Sequence, residues 1–333
     1  MSDRDAPTPA PDGSPDVAVV LPVRNAAATI EAALRSVLDQ DYRGRLEVVV
    51  ADAMSDDGTR DVVASVAAAD PRVRMVDNPH RSTPAGLNAA LAASTGTVVV
   101  RCDAHAELPP GYVARAVATL QRTGADNVGG VQSAEGTGVA QRAIAFAMSS
   151  PVGVGDARFH YGGAPGPVDT VYLGTFRRSA LERVGFFDES LVRNQDYELN
   201  HRIRRSGGVV YFDPELRVRY RPRPGLAALW RQYWQYGAWK RRVVRRHPRS
   251  LRPRQLAAPV FVLGLVVSAA LAATGHGAWA LPVPVAYLVL LAGATVVEAV
   301  RRRDPAVLLF PVAVATMHLA WGGGFLMGRA GRP

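Results

Sequence analysis

The chain has 333 residues, room for one large domain or two smaller ones, and its net charge of +10 suits an anionic partner: a nucleotide, a nucleic acid or an acidic membrane face. A single cysteine, Cys102, excludes an intrachain disulfide and fits a reducing compartment. Residues 1–16 are rich in Pro, Asp and Ala and lack the basic-then-apolar order of a signal peptide, so a disordered tail is expected there.

Apolar runs and helical patterns then alternate. Residues 17–21 read as a buried strand, and 25–40 carry Ile30, Leu34, Val37 and Leu38 at helical spacing. Strands are predicted at 46–50, 73–76 and 97–101, and helices at 58–69, 84–94 and 109–122. Continuous Val-rich strands alternating with helices predict an α/β fold, a parallel sheet covered on both faces. Ligands bind such sheets beyond the carboxyl ends of the strands, which directs attention to Asp52 and Asp103. Residues 124–223 are less regular, and the Gly and Pro residues of 151–167 predict a long loop.

The pattern changes near Gly225. Leu226, Leu229, Trp230, Tyr233, Trp234 and Gly237 form an apolar, aromatic helical stripe, with Arg231, Gln232 and Gln235 off it. Thirteen of the 39 Lys and Arg residues lie in 216–254, where there is no acid. From 255 to 297 no Asp, Glu, Lys or Arg occurs, and those 43 residues exceed the roughly 20 needed for one bilayer crossing. Thr274–Gly277 divides them into two spans, 256–273 and 278–297, and 305–327 is a third candidate, bent or partly re-entrant at Gly322–Gly324. The basic cluster before the first span and Arg301–Arg303 after the second both read as cytoplasmic. A full third crossing would put Arg329 and Arg332 outside, against that rule. The aromatic stripe is expected to lie at the interface, with Trp230, Trp234 and Trp239 at headgroup level and basic residues on anionic lipid. The expected organisation is a tail (1–16), an α/β domain (17–224), a basic interfacial helix and linker (225–254) and a multi-pass membrane region (255–328), with the α/β domain on the cytoplasmic face of the cell membrane.

Three motifs carry chemistry: VVLPVRN at 19–25, VVADAMSDDGT at 49–59 and VVRCDAH at 99–105. Their order and spacing resemble the family 2 glycosyltransferases over 17–242, and the ADAMS and CDAH variants resemble the subgroup with the succinoglycan-type exopolysaccharide enzymes. The resemblance implies a GT-A, Rossmann-like, mostly parallel sheet with helices on both faces, followed by the transmembrane helices. It also implies a UDP-sugar donor, a divalent cation (Mn2+ or Mg2+) and a lipid-linked or polysaccharide acceptor. Carried over residue by residue, Asp52 matches the aspartate that accepts a hydrogen bond from the uracil ring. Pro22, Val23, Asn25, Arg81 and Asn88 match positions lining the nucleotide site. Asp103 matches the first acid of the metal-binding Asp-x-Asp motif. His105 stands in place of the second acid, and an imidazole suits Mn2+ better than Mg2+. In the segment 193–200, after GFFDE at 185–189, Asp196 matches the base that takes the acceptor proton in an inverting, in-line displacement. Gly174, Gln195, Glu198 and Gln232 are expected on the acceptor or donor-sugar side. Asp196 has a plainer reading as the ion-pair partner of Arg202 or Arg204, and Glu198 one as a structural residue. Asp56 or Asp57 reads as a helix cap.

A basic, membrane-associated nucleic-acid or nucleotide-binding protein also explains the charge, but no nucleic-acid motif accompanies the basic run, and no nucleic-acid partner is expected. A dinucleotide-binding dehydrogenase needs GxGxxG after the first strand, where PVRN stands. Within the family, transfer to polyprenyl phosphate itself is the nearest alternative.

Overall fold

Short valine-rich strands set the framework of the computed structural model, which describes residues 13–329. Residues 1–12 of the expected tail, and Arg332, lie outside the described residues. The tail ends earlier than expected, because Pro15 O already accepts from Tyr42 Oη (2.5 Å) and Asp16 O from Val98 N (3.0 Å). The chain divides into two compact units, residues 13–132 with 162–219, and residues 133–161 with 220–329.

The first unit follows the alternating pattern: β1 (Val17–Val23), α1 (Ile30–Leu38), β2 (Leu46–Asp52), α2 (Thr59–Ala69), β3 (Val73–Asp77), α3 (Thr83–Ala92), β4 (Val98–Arg101), α4 (Tyr112–Thr123) and β5 (Asn127–Ala134), whose last two residues enter the second unit. After α5 (Val139–Met148) and α6 (Pro151–Val154) of the second unit come β6 (Gly166–Pro167), β7 (Tyr172–Arg177), α7 (Arg178–Val184), α8 (Gln195–Arg205) and β8 (Val210–Tyr220). The strand order is β3-β2-β1-β4-β7-β5-β8-β6. β3, β2, β1 and β4 are mutually parallel, while β7 runs antiparallel to both β4 and β5.

Strand alternation puts helices on both faces. Val17, Val19, Leu21 and Val23 share a core with Ile30, Leu34 and Val37 of α1 and Val113, Ala116 and Leu120 of α4. On the opposite face, α3 comes close enough at Gly86 for an added Cβ to touch Pro22 and Ala51. Each fully buried Leu contributes about 1.5–3 kcal/mol by leaving water. α1 starts at Ile30, five residues later than expected, because 25–27 are drawn into the loop after β2. Ala26 N donates to Thr59 Oγ1 (2.8 Å) and Ala27 N to Asp57 Oδ2 (3.1 Å). The loop expected at 151–167 is interrupted by α6, a 3-10 turn at Arg158–His160 and β6.

The second unit is helical: α5 and α6, then α9 (Leu226–Arg246), α10 (Arg254–Ala273), α11 (Gly277–Ala280), α12 (Pro282–Arg302) and α13 (Phe310–Met327). Three segments, Arg254–Ala273, Gly277–Arg302 and Pro305–Met327, are long and apolar enough to cross a membrane. Within α9, Trp230 is exposed, but Trp239 is buried rather than at the surface expected for it. Lys240 is buried too, its Nζ donating to Ser250 O (3.4 Å). α13 is assigned as one continuous helix through Gly322–Gly324.

Gly130 permits the close passage of β5 past β8: a methyl there would overlap Leu216 O. Gly130→Ala should cost about 1–3 kcal/mol by overpacking, read as a lower thermal unfolding midpoint of the detergent-solubilised chain. An unchanged midpoint would mean that the two strands can part without penalty.

Candidate functional site

The sheet itself gathers the candidate residues. β2, β1 and β4 are neighbours and parallel, so Asp52 ending β2, Asn25 just after β1 and Asp103 just after β4 emerge at one edge. Chain order reverses between β1 and β4, the switch point at which open α/β sheets take ligands. A concavity lined by Gln40, Tyr42, Leu46, Pro71 and Arg72 lies at the amino ends of β2 and β3, the other end of the sheet.

Asp52 is fully buried. Its Oδ2 accepts from Ser55 N (3.0 Å) and Arg60 Nη1 (2.7 Å), and Arg60 also reaches Asp77 Oδ1 (2.9 Å). Burial alone would raise the Asp52 pKa; the hydrogen bonds from Ser55 and Arg60 outweigh it and hold the carboxyl below the usual carboxylate range. Its Oδ1 is a buried acceptor that no donor engages among the described residues. Pro22 and Val23 lie opposite Ala51 and Asp52 in the parallel register, and Val23 O accepts from Ala53 N (2.8 Å). Asn25 adopts a left-handed conformation (φ 48°) and knits the two loops: its Nδ2 donates to Asp56 Oδ1 (2.9 Å) and its Oδ1 accepts from Asp56 N (3.1 Å). Asp57 Oδ1 accepts from Thr59 N (3.0 Å) in the turn before α2, but the N-cap residue there is Gly58 and not either acid foreseen for it.

Arg81 is exposed on a left-handed turn (φ 52°). Asn88, on α3, spends its amide on another loop. Its Nδ2 donates to Phe187 O and Glu189 Oε1 (both 2.9 Å), and its Oδ1 accepts from Phe187 N (3.1 Å).

At the end of β4, Arg101 organises the remaining acids. Its guanidinium is buried, with Nη2 donating to Asp103 Oδ1 (2.9 Å) and Nη1 paired with Asp196 Oδ1. Burial opposes its charge, but Asp103 and Asp196 more than offset that and raise its pKa. Asp196 thus pairs with Arg101 across the fold and not with Arg202 or Arg204. Asp103 and Asp196 keep side-chain exposures of 18% and 33%, so both carboxylates also face solvent. α8 begins after Asn194 in the left-handed region (φ 61°), with Gln195 buried beside Asp196 in its first turn. Glu198 is 1% exposed, and both its oxygens accept from Arg202 (2.8 Å each), whose remaining N–H groups hold Val184 O and Phe186 O. Asn200, one turn beyond Asp196, is buried between Asn127 Nδ2 (2.7 Å) and Thr170 Oγ1 (3.0 Å).

Gly174, in β7 beside β4, would as alanine place Cβ 2.5 Å from Asn127 Oδ1 and from the Phe176 ring, so the close approach it permits is internal. Gln232 belongs to the second unit, where its Nε2 donates to Tyr220 Oη (3.2 Å) and Tyr236 Oη (2.9 Å).

Among the described residues no group of three or more His, Cys, Asp or Glu is placed to hold a metal ion. Asp103 Oδ2, which no protein group engages among the described residues, and the exposed His105 on the following turn are hard-oxygen and imidazole donors. They fit an ion that completes its shell with ligand oxygens and water, as Mg2+ does at phosphates, and not a protein cage. Two site residues went unassigned at the sequence level, Arg60 and Arg101. The signal for Arg101 was present: a charge ending an apolar strand needs a buried partner.

The family described as Glycosyl transferase family 2 matches residues 18–185. The chain is 33% identical over 310 residues to Succinoglycan biosynthesis protein ExoA of Rhizobium meliloti (strain 1021), covering 92% of this chain and 93% of that protein. It is 22% identical over 239 residues to the dolichyl N-acetyl-alpha-D-glucosaminyl phosphate 3-beta-D-2,3-diacetamido-2,3-dideoxy-beta-D-glucuronosyltransferase of Methanococcus voltae, covering 69% of this chain and 74% of that one. Among solved structures, Mannosyltransferase PcManGT from Pyrobaculum calidifontis, in complex with GDP-Man and Mn2+, shares the fold with a TM-score of 0.62 at 23% identity, over 97% of this chain and 90% of that one.

The depressed Asp52 pKa makes a signed prediction. An aspartate held below its ordinary value of ~3.9 stabilises the fold while ionised. That contribution is complete above the ordinary value and lost as pH falls through the lower folded-state value. Between pH ~6 and ~3 the wild type should therefore lose more unfolding midpoint than Asp52→Asn, which cannot ionise. Parallel losses in the two proteins would show that Asp52 is not held in this way.

Proposed function

The chain belongs to glycosyl transferase family 2 and is a glycosyltransferase, and on that premise we propose that it moves a sugar, with inversion, from a UDP-sugar to a lipid-linked saccharide or nascent exopolysaccharide at the cytoplasmic face of the membrane. The observation that carries this reading is the Arg101 bridge. It holds a carboxylate suited to the diphosphate side, Asp103, and a carboxylate suited to the acceptor side, Asp196, on one guanidinium at the carboxyl edge of a GT-A sheet.

Each residue has a distinct task. Asp52 Oδ1, a buried acceptor without a donor, suits a ring N–H of the nucleotide base. Uracil N3–H meets that need, and so does guanine N1–H. The GDP-Man of the structurally similar mannosyltransferase therefore makes both donors worth assaying. Asn25 fixes the two loops that flank Asp52. Asp103 and His105 are the residues that would hold Mn2+ or Mg2+. That ion, when bound, supplies charge neutralisation for the departing diphosphate.

Asp196 accepts the proton of the acceptor hydroxyl. The new C–O bond forms as the sugar–phosphate bond breaks on the opposite face, so the anomeric carbon inverts and one carboxylate suffices. Glu198 supports that economy. Its buried pairing with Arg202 leaves Asp196 as the solvent-facing acid of the first turn of α8. A membrane-held acceptor is supported by three apolar helices and by the lipid-linked substrate in the name of the Methanococcus voltae relative. The cytoplasmic orientation is supported by the basic residues before α10 and after α12.

The test is transfer from labelled UDP- and GDP-sugars to lipid-linked saccharides, and to polyprenyl phosphate for comparison, by purified protein with Mn2+. Asp196→Asn keeps an acceptor for Arg101, so the protein should still fold, and it should lower kcat by about 10²-fold or more. Near-normal turnover would remove Asp196 as the base. Chelation should abolish transfer; activity that survives it would remove the metal from the reading.

A further inference from the structure

We propose that α13 does not cross the membrane but lies in its interface against α9, so that the described residues cross twice, through α10 and α12, and Gly328 and Arg329 return to the side of α5 and α9. The inference rests on the reading above that α10 and α12 are spans. By length and composition α13 qualifies as a third: its segment has a mean hydropathy of 1.6, against 2.4 and 2.1 for the other two. Its surroundings disqualify it. Half of its apolar stretch is buried against the protein, compared with 11% for each of the others.

What buries it is largely α9, which runs beside it in the same direction. Leu229 and Tyr233 share a core with Phe310, Ala313, Val314 and Met317. Further along, Gly324 faces the Trp234 backbone and Gly237 faces Trp321 and Phe325 so closely that a methyl on either glycine would overlap main-chain atoms. A methyl on Gly328 would come within 2.6 Å of Ala238 Cβ, and Arg241 Nη1 donates to Leu326 O (2.7 Å). The glycine run that reads in sequence as a break is therefore the groove into which α9 docks.

A helix locked along α9 must share its depth. α9 carries Arg231, Lys240, Arg241, Arg242, Arg245 and Arg246. Each such residue costs about 2.5–3.5 kcal/mol at a bilayer centre, so α9 cannot be a span.

The other contacts of α13 fix the level. At its start, Asp304 pairs with Arg142 of α5 (2.9 Å). Midway, His318 Nδ1 meets Tyr287 Oη (3.0 Å), and Tyr287 stacks on Phe261 at 4.0 Å. Gly322 then packs on Ala258 and Val262. Those α10 residues lie within about two turns of its basic end, roughly 12 Å at most. A spanning α13 would carry residues 322–327 toward the far end of α10. Instead Gly322 packs near the basic end of α10, and Arg241 caps Leu326 O.

The pair also has the surface of an interfacial platform. Trp230 stacks on Trp234 (6.2 Å), Trp321 on Phe325 (5.5 Å), and Met327 is exposed, alongside the basic residues of α9. Aromatic rings with neighbouring cations suit an anionic bilayer surface. Two crossings also leave Arg329 on the basic side, as charge bias favours.

The test uses the full chain with a reporter that fluoresces only in the cytoplasm, or a phosphatase active only outside it, placed before Met1, after Pro333 or within the loop at Gly275. Fluorescence at both ends with phosphatase activity at Gly275 is expected. Opposite sides for the two ends would overturn the inference. The two ends outside and Gly275 inside would uphold two crossings while overturning the cytoplasmic orientation. All three on one side would overturn both. Because a fused domain can disturb a short helix, Arg329→Cys in a Cys102→Ser background gives a second reading. In right-side-out vesicles it should resist a membrane-impermeant maleimide that labels Gly275→Cys, and labelling of both would overturn the inference.

Discussion

A guanidinium taken out of water must find partners, and that requirement at Arg101 shapes the site. Leaving such a charge unpaired would cost several kcal/mol, so the end of β4 cannot settle without acids around it. One partner, Asp103, is two residues away and comes with the strand. The other, Asp196, begins a helix that the chain reaches only after β5, β6 and β7. Closing that distance brings α8 to the switch point of the sheet. The arrangement also solves an electrostatic problem. Two carboxylates at one edge of the sheet repel each other, and a cation held between them offsets that repulsion.

The same logic of occupied groups sorts the other acids. Glu198 and Asp213 are buried and fully engaged, Glu198 by Arg202 and Asp213 by Arg115 and Thr119. They build walls. Asp52 is different, because one oxygen is held by Ser55 and Arg60 while the other is buried with nothing to accept from. An acceptor desolvated without return is a standing cost of about 1–3 kcal/mol that a ligand donor can relieve. Asp52 thus keeps a buried acceptor oxygen at the sheet edge, whereas Asp103 and Asp196 face solvent.

Much of this was legible in the sequence, and the failures have physical causes. The strands β1 to β4 were visible because parallel strands buried on both faces are written as unbroken Val runs. β5, β6 and β8 were not, because their residues alternate or include Gly and Pro, and their register depends on neighbours far along the chain. Asp196 could be singled out by motif, but its partner could not. Sequence proximity favoured Arg202 and Arg204, which lie one or two turns away, while the fold supplied Arg101 from another strand. Asn88 illustrates the limit of carrying a role across by position: its amide binds Phe187 and Glu189, a demand that local pattern does not reveal.

The membrane region makes the complementary point about hydropathy. A scale that averages one segment at a time cannot separate a helix facing lipid from one facing a neighbouring helix, since both are apolar. The deciding information lies in the charge of the neighbour. α10 and α12 expose Val and Leu along their lengths, among them Val260, Leu263, Val266, Leu288 and Val289, and need lipid to cover them. α13 instead gives its small residues, Gly322, Gly323 and Gly324, to close contacts with α9 and α10, and its last carbonyls to an arginine. Glycine at a helix–helix contact strengthens packing through backbone approach, even though glycine in an isolated helix weakens it by about 1 kcal/mol. The three consecutive glycines are therefore tolerable because α9 and α10 are there. In the proposal above, α9, too basic to enter the hydrocarbon, sets the depth of both.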